Sequence, residues 1–153
     1  MNRILFVCLG NICRSPMAEG ILRYKTEQRG LKLKIDSAAT GPWHAGENPD
    51  KRATKTAKGR GVDISKLVAR QITEDDFENF DMIYVADAQV YDGVAALALT
   101  REHKLKIDYI MNLVHPDLNM PVPDPYFGGI DGFEKVFDML EEACEAILKK
   151  VSH

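Results

Sequence analysis

The segment from Ile4 to Pro16 constrains the chain more than any other. Ile4-Leu5-Phe6-Val7-Cys8 is an unbroken apolar run, the pattern of a strand covered on both faces of a sheet. Gly10 and Asn11 follow at once, and both tolerate the left-handed backbone that a tight loop needs. Ser15-Pro16 then offers an N-cap and a first-turn proline for a helix over Met17 to Arg29, stopped before Gly30. A buried strand delivered straight into a helix is the opening unit of an α/β fold.

The same alternation continues downstream. Leu31 to Ala38 suits a second strand, and Asp50 to Lys58 a helix stopped by Gly59 and Gly61. Thr73 and Asp76 have the spacing of a capping box for a short helix. Met82 to Ala86 is another apolar strand, Val90 to Leu99 a helix, and Leu105 to Met111 a weaker strand. Gly132 to Val151 is a long amphipathic helix that sets Phe133, Val136, Phe137, Leu140, Cys144, Ile147 and Leu148 on one face. The pattern predicts a parallel sheet with helices on both faces. No repeat or linker divides residues 1–153, which are expected to form one domain. The stretch from Asn112 to Gly129 differs, holding Pro116, Pro121, Pro123 and Pro125 of the 7 prolines. A long stiffened loop in a compact domain is more often functional than idle.

Composition narrows the partners. The net charge is −3, so the chain as a whole has no bias toward nucleic acid or anionic membranes. The cations Lys51, Arg52, Lys55, Lys58 and Arg60 are expected to form a solvated helix face. No apolar run approaches the ~18–20 residues that span a bilayer. The N-terminal apolar stretch is too short for a signal peptide, and Gly10, Asn11 and Arg14 follow it directly. With 3 cysteines there is no secreted disulfide framework, and a reducing cytoplasm is the expected compartment.

The chemistry concentrates in Cys8-Leu9-Gly10-Asn11-Ile12-Cys13-Arg14-Ser15. This loop joins a strand's carboxyl end to a helix start, where doubly wound sheets bind ligands. Unpaired N–H groups and the positive end of the helix dipole favour a phosphate there, and a tight run of amides adds an anion nest. An isolated thiol with a pKa of ~8.5 is only about 3% ionised at neutral pH. Helix end, amides, Arg14 and the Ser15 hydroxyl all favour the anionic sulfur. Complete ionisation raises the thiolate fraction only about 30-fold, and lower basicity takes part of that back. Most acceleration must therefore come from positioning the phosphoryl group and stabilising its charge. Arg14 suits that work because its planar fork binds two phosphate oxygens.

Val7-Cys8-Leu9-Gly10-Asn11-Ile12-Cys13-Arg14-Ser15-Pro16-Met17-Ala18-Glu19 resembles the phosphate loop of the low-molecular-weight protein tyrosine phosphatases. The likeness continues through Asp36-Ser37-Ala38, Thr40-Gly41-Pro42-Trp43-His44, Pro49-Asp50-Lys51-Arg52-Ala53, Ala69-Arg70-Gln71 and Phe80-Asp81. It ends with Pro123-Asp124-Pro125-Tyr126-Phe127-Gly128-Gly129, Gly132-Phe133-Glu134 and the last helix. The resemblance implies a doubly wound four-stranded parallel sheet and hydrolysis of phosphotyrosine through a cysteinyl-phosphate, without metal or other cofactor. Cys8 would attack, while Arg14 and the loop from Leu9 to Ser15 would hold the phosphoryl group. Asp124 would protonate the leaving phenolate, which with a pKa of ~10 departs poorly as an anion. Trp43, Tyr126 and Phe127 match the aromatic walls of the family's cleft. The implied partner is a tyrosine-phosphorylated protein, not nucleic acid or membrane, and the chain is expected to be a monomer with weak self-association.

Some residues keep two readings. Trp43 is a cleft wall or a core-edge anchor. Cys13 is a disulfide partner for Cys8 or a small packing residue. Phe127 stands where many members have a second tyrosine, Leu67 where several have a histidine that supports the loop, and Ala39 where glycine is usual. Asp87-Ala88-Gln89-Val90 lacks the family's common Asn. His44, His103, His115 and His153 show no metal-ligand spacing and are expected at surface or packing positions. Arsenate reduction would need redox cysteines between Cys13 and Cys144, where none occurs. Relatives that hydrolyse phosphoarginine carry threonine in place of Ile12. A non-catalytic phosphate-binding domain would not need Cys8, Arg14 and Asp124 together. No G-x-x-x-x-G-K-[ST] nucleotide loop is present.

Overall fold

Four parallel strands make one sheet in the order β2-β1-β3-β4, in a computed structural model that describes residues 1–151 except for the side chain of Phe127. The strands are β1 (Arg3–Cys8), β2 (Lys34–Ala39), β3 (Met82–Val85) and β4 (Ile107–Tyr109). The helices are α1 (Arg14–Gln28), α2 (Lys51–Gly59), α3 (Asp76–Asn79), α4 (Ala88–Ala95), α5 (Arg101–Leu105) and α6 (Ile130–Val151). Strand β1 is central, with Cys8 in register with Ala39 of β2 and Val7 with Val85 of β3. The chain reverses winding direction between β1 and β3, and that switch point opens a crevice at the carboxyl ends of the strands.

Strand alternation divides the core into two layers. Ile4, Phe6 and Cys8 face one side with Met17, Ile21 and Leu22 of α1 and Phe133, Phe137 and Leu140 of α6. Leu5 and Val7 face the other with Phe77, Val90 and Val94. The predicted apolar face of α6 is buried along its whole length, Cys144 included. Removing a ring such as Phe6 from this packing would cost about 3–5 kcal/mol.

The elements deviate from the sequence pattern where side chains have other work. Helix α1 begins at Arg14, with Met17 N–H bonded to the Cys13 carbonyl at 3.2 Å. Ser15 is therefore inside the helix rather than its cap, and its hydroxyl turns to Cys8. Gly30 closes α1 in a left-handed conformation (φ +65°), while Leu31 N–H reaches back to Thr26 O at 2.9 Å. Leu31 and Leu33 thus pack on the core under the helix end, and β2 starts at Lys34. Of the capping box only one half forms, Thr73 N–H to Asp76 Oδ2 at 2.9 Å. The Asp76 carboxylate is otherwise taken by Arg70, at 2.9 and 3.0 Å. Leu105 belongs to α5, a short helix with no buried residue, so β4 is shorter than its apolar pattern suggests. The proline-rich stretch is anchored where Val122 N–H donates to Ala86 O at 2.7 Å, beyond the end of β3.

Candidate active site

Strand β1 ends in the buried Cys8, and the next residues wrap its sulfur. Asn11 takes φ +58°, the left-handed value its side chain tolerates, which turns its N–H onto Cys8 Sγ at 3.3 Å. Ser15 adds its N–H at 3.4 Å and places its hydroxyl 2.9 Å from the sulfur. Because α1 starts at Arg14, the first amides of the helix lack partners one turn back and converge on the same loop. These donors and the helix dipole favour negative charge at this point.

Behind the loop runs a buried polar chain. Asn11 Nδ2 donates to Ser15 Oγ at 2.7 Å and to Ser37 Oγ at 2.9 Å. Ser37 donates onward to Glu19 Oε1 at 2.6 Å, and Arg23 Nε reaches Glu19 Oε2 at 2.9 Å. Burial pushes the Glu19 carboxyl pKa upward, and the bonds from Ser37 and Arg23 only partly offset it. Asn11 Oδ1 also accepts Arg70 N–H at 3.1 Å. The loop is thereby tied to β2 and to the segment after α2, while Leu67 packs on apolar neighbours instead. Ala39 continues β2 with Gln71 beside it in a parallel bridge, a regular strand position that does not call for glycine.

Arg14 is the charged group aimed into the crevice. Its side chain is 3% exposed; Nη1 donates to Asp87 Oδ2 at 2.7 Å and to Val122 O at 2.9 Å. Nη2 lies 3.6 Å from Asp124 Oδ2. Burial works against the guanidinium charge, and Cys8, Asp87 and Asp124 more than restore it, so the pKa of Arg14 is raised. Asp87 is fixed in turn, because its Oδ1 caps α4 by accepting Val90 N–H at 2.9 Å. The arginine is thus held across the switch point from the β3 side. Asp124 is restrained by Tyr126 N–H at 3.0 Å and by Pro125 at the start of a short 3-10 turn.

Cys8, Leu9, Gly10, Ile12, Cys13, Arg14, Asp124 and Tyr126 line one cleft with Trp43 and His44. Asn11 and Ser15 lie behind it, with their side chains spent on the loop, and the expectation for the Phe127 side chain falls outside the described residues. Trp43 is 65% exposed, so it is a wall and not a core-edge anchor. It folds back over Gly41, where an added Cβ would fall 1.8 Å from the ring. Cys8 and Cys13 are both free thiols. Burial, with help from Asp50 and Cys8, pushes the Cys13 thiol far above its ordinary pKa. Among the described residues no group of three His, Cys, Asp or Glu side chains is placed to hold a metal ion.

One cleft residue, His44, and one residue that holds Arg14, Asp87, escape simple sequence reasoning. His44, expected at a surface or packing position, lines the cleft, leaves little room for a side chain at Gly10 (an added Cβ would fall 3.0 Å from its ring) and pairs with Glu47 at 3.1 Å. Its place beside Trp43 is the one signal for it. In the sequence Asp87 stands out only as part of a segment that departs from the family's pattern, and nothing local announces an arginine partner in another element.

A cysteine cupped by amides at a helix start, an arginine locked beside it and a carboxylate above define a cysteine-based phosphate-ester site. The sequence profile of the low molecular weight phosphotyrosine protein phosphatases matches residues 3–153, and the chain belongs to that family. A low molecular weight protein-tyrosine-phosphatase of Bacillus subtilis is 38% identical, covering 99% of this chain and 96% of its own. The human low molecular weight phosphotyrosine protein phosphatase is 37% identical over 96% of this chain and 94% of its own. The crystal structure of a protein tyrosine phosphatase from Entamoeba histolytica superposes with a TM-score of 0.91 at 37% identity, covering 99% of this chain and 97% of that one. Family membership makes the chain a protein phosphatase, a hydrolase. Among the described residues no helix is long and apolar enough to cross a membrane.

Proposed function

We propose that residues 1–153 act as one catalytic domain that hydrolyses phosphotyrosine in protein substrates, with Cys8 as nucleophile, Arg14 as phosphate clamp and Asp124 as proton donor. The observation that carries this reading is the convergence of these three groups on one cleft, with Arg14 Nη2 facing Asp124 Oδ2 at 3.6 Å. The Cys8 thiolate attacks phosphorus as the bond to the aryl oxygen breaks, and the bonding pair leaves on that oxygen. Asp124 protonates it, so that the departing group is a neutral phenol. The loop amides and Arg14 hold the equatorial oxygens, where charge is greatest in the transition state. Asp124, now a carboxylate, takes a proton from water, the water oxygen attacks phosphorus, and the S–P bond breaks to restore the thiolate and release inorganic phosphate. Trp43 and Tyr126 flank the cleft and favour a flat aryl group. The free thiols fit a reducing cytoplasm.

The test is release of phosphate from a phosphotyrosine peptide by the native protein and by Cys8→Ser, with phosphoarginine run in parallel. The reading expects fast phosphotyrosine hydrolysis that falls on the order of 10⁴-fold or more in the serine variant, with little turnover of phosphoarginine. Equal rates in both proteins would remove Cys8 from the mechanism. Phosphate binding with no turnover would leave a non-catalytic domain.

A further inference from the structure

Residues 51–60 hold five cations and no carboxylate, and these cations are used in two different ways. Arg52 is paired with Asp50 at 3.0 Å, and its guanidinium lies over the rings of Tyr126 (5.3 Å) and Phe133 (4.8 Å). Arg60 is paired with Glu134 at 3.0 Å and Asp138 at 2.8 Å. Lys51, Lys55 and Lys58 are exposed and form no ion pair among the described residues. Their i, i+4, i+7 spacing sets them on one face of α2, opposite the buried Ala53 and Ala57.

That face is one wall of a surface groove completed by Asn48, Pro49 and Ser65, with no acidic side chain in its lining. Asp63, two residues before Ser65, has its carboxylate bound by Ser65 N–H and feels Lys58 and Lys66, and Asp50 is paired with Arg52. The segment that carries the groove is tied to the cleft at two points. Asp50, between Pro49 and Lys51, donates its N–H to Ile12 O in the phosphate loop at 2.9 Å, and Arg52 leans on Tyr126 of the cleft wall.

We propose that this groove docks an acidic stretch of the phosphotyrosine substrate, so that Asp- and Glu-rich flanks select substrates for the cleft. The proposal rests on the phosphotyrosine reading above. From Lys51 to Lys58 the helix advances about 10 Å, the span of roughly three residues of extended peptide. A short acidic run entering from the cleft therefore meets all three ammonium groups. In a chain of net charge −3 such a local field steers and orders a negative ligand without attracting polyanions to the whole surface.

The experiment compares kcat/KM for two phosphotyrosine peptides, one with Asp and Glu flanks and one with Ser flanks. Each is run on the native protein and on a Lys51→Glu, Lys55→Glu, Lys58→Glu triple variant, with a small aryl phosphate as control. The native protein is expected to prefer the acidic peptide by about tenfold at low salt, with most of the preference lost at about 0.5 M salt. In the triple variant the preference disappears or inverts, while the aryl phosphate rate stays within about twofold, since no charge contacting the phosphoryl group has changed. Fluorescence anisotropy of the same peptides on Cys8→Ser protein, with and without the triple substitution, reads docking apart from turnover. Loss of aryl phosphate hydrolysis in the native protein would count against the phosphatase reading alone. Equal handling of both peptides by the native protein, or a preference that survives the triple reversal, would overturn the docking proposal. So would a short single-stranded oligonucleotide that displaces the acidic peptide at lower concentration than unlabelled peptide does.

Discussion

Strand β1 carries an arginine–aspartate pair at each end, and the two pairs do different things. At its start Arg3 binds Asp81, with Nη2 2.7 Å from Oδ1, while Asp81 Oδ2 accepts the N–H groups of Asn2 and Arg3, each at 3.1 Å. Every oxygen of that carboxylate is occupied by the protein, and the arginine is 40% exposed. The result is a closed clasp joining the beginnings of β1 and β3. Beyond the other end Arg14 has almost no exposure and gives only Nη1 to its partners, Asp87 and Val122. Its second nitrogen, Nη2, faces the cleft near Asp124. In the proposed reading this incompleteness is what lets Arg14 bind: one nitrogen is fixed by Asp87 and Val122, and the other meets only Asp124 at 3.6 Å across the cleft. A phosphoryl group would complete the set as a fork.

The contrast can be broken most directly at Arg14. Arg14→Lys keeps the charge but loses the fork, and kcat/KM on an aryl phosphate is expected to fall on the order of 10³-fold; a loss below about tenfold would show that a point charge suffices. Asp87→Asn comes next. It keeps a capping oxygen for α4 but weakens the hold on Arg14, and kcat should drop about 10- to 100-fold with a smaller change in KM. An unchanged kcat would mean that Val122 and the surrounding packing hold the guanidinium unaided.

At the opposite end the expected effects are smaller and confined to stability. Asp81→Asn should leave kcat/KM within about twofold and cost about 0.5–1 kcal/mol, since the pair is largely solvent-screened, or a few degrees in Tm. The hydrogen bond from Arg3 leads the forces that hold the Asp81 pKa down to about 2, below its ordinary value of ~3.9. The stabilisation is therefore fully present above pH ~4 and is lost as pH falls toward about 2. Thermal melts of native and variant proteins should differ near neutrality and converge near pH 2. A gap that persisted in acid would assign the loss to packing. The smallest effect is that of salt: about 1 M NaCl should weaken the exposed Arg3–Asp81 clasp measurably while leaving the buried Arg14–Asp87 bond intact.

The same contrast explains which parts of the molecule are legible in its sequence. Ile4–Cys8 and the stripe from Phe133 to Leu148 announce themselves because burial there is governed by local periodicity. Cys8 and Arg14 stand out as residue types in one strand–loop–helix pattern that suits a phosphate, whereas Asp124 is marked only by the resemblance to the phosphatase family. Helix α5 and the brevity of β4 are not legible, since α5 has no apolar buried face and meets the core through the His103 ring stacked on Phe77, which leaves no periodic trace. Ser15 carries two expectations, a helix cap and a bond to the Cys8 sulfur; the cap fails because α1 already begins at Arg14, and the bond forms. The Arg14–Asp87 bond joins residues 73 positions apart, and the Asn11–Ser37 bond residues 26 apart. Such pairings belong to the three-dimensional arrangement of strand ends and have no local signature. His44 is hidden for the same reason, its role arising only when the segment after β2 folds over Gly10.

The most direct measurement of the central claim is rapid acid quench of the enzyme turning over an aryl phosphate, followed by peptide mass analysis. With Asp124→Asn, hydrolysis of the intermediate is expected to slow enough for one phosphoryl group to accumulate on the peptide containing Cys8, matched by a burst of one equivalent of phenol. A steady rate of phenol release without a burst, together with label absent from that peptide under every quench time, would contradict a cysteinyl-phosphate path and leave the cleft a site for direct attack by water.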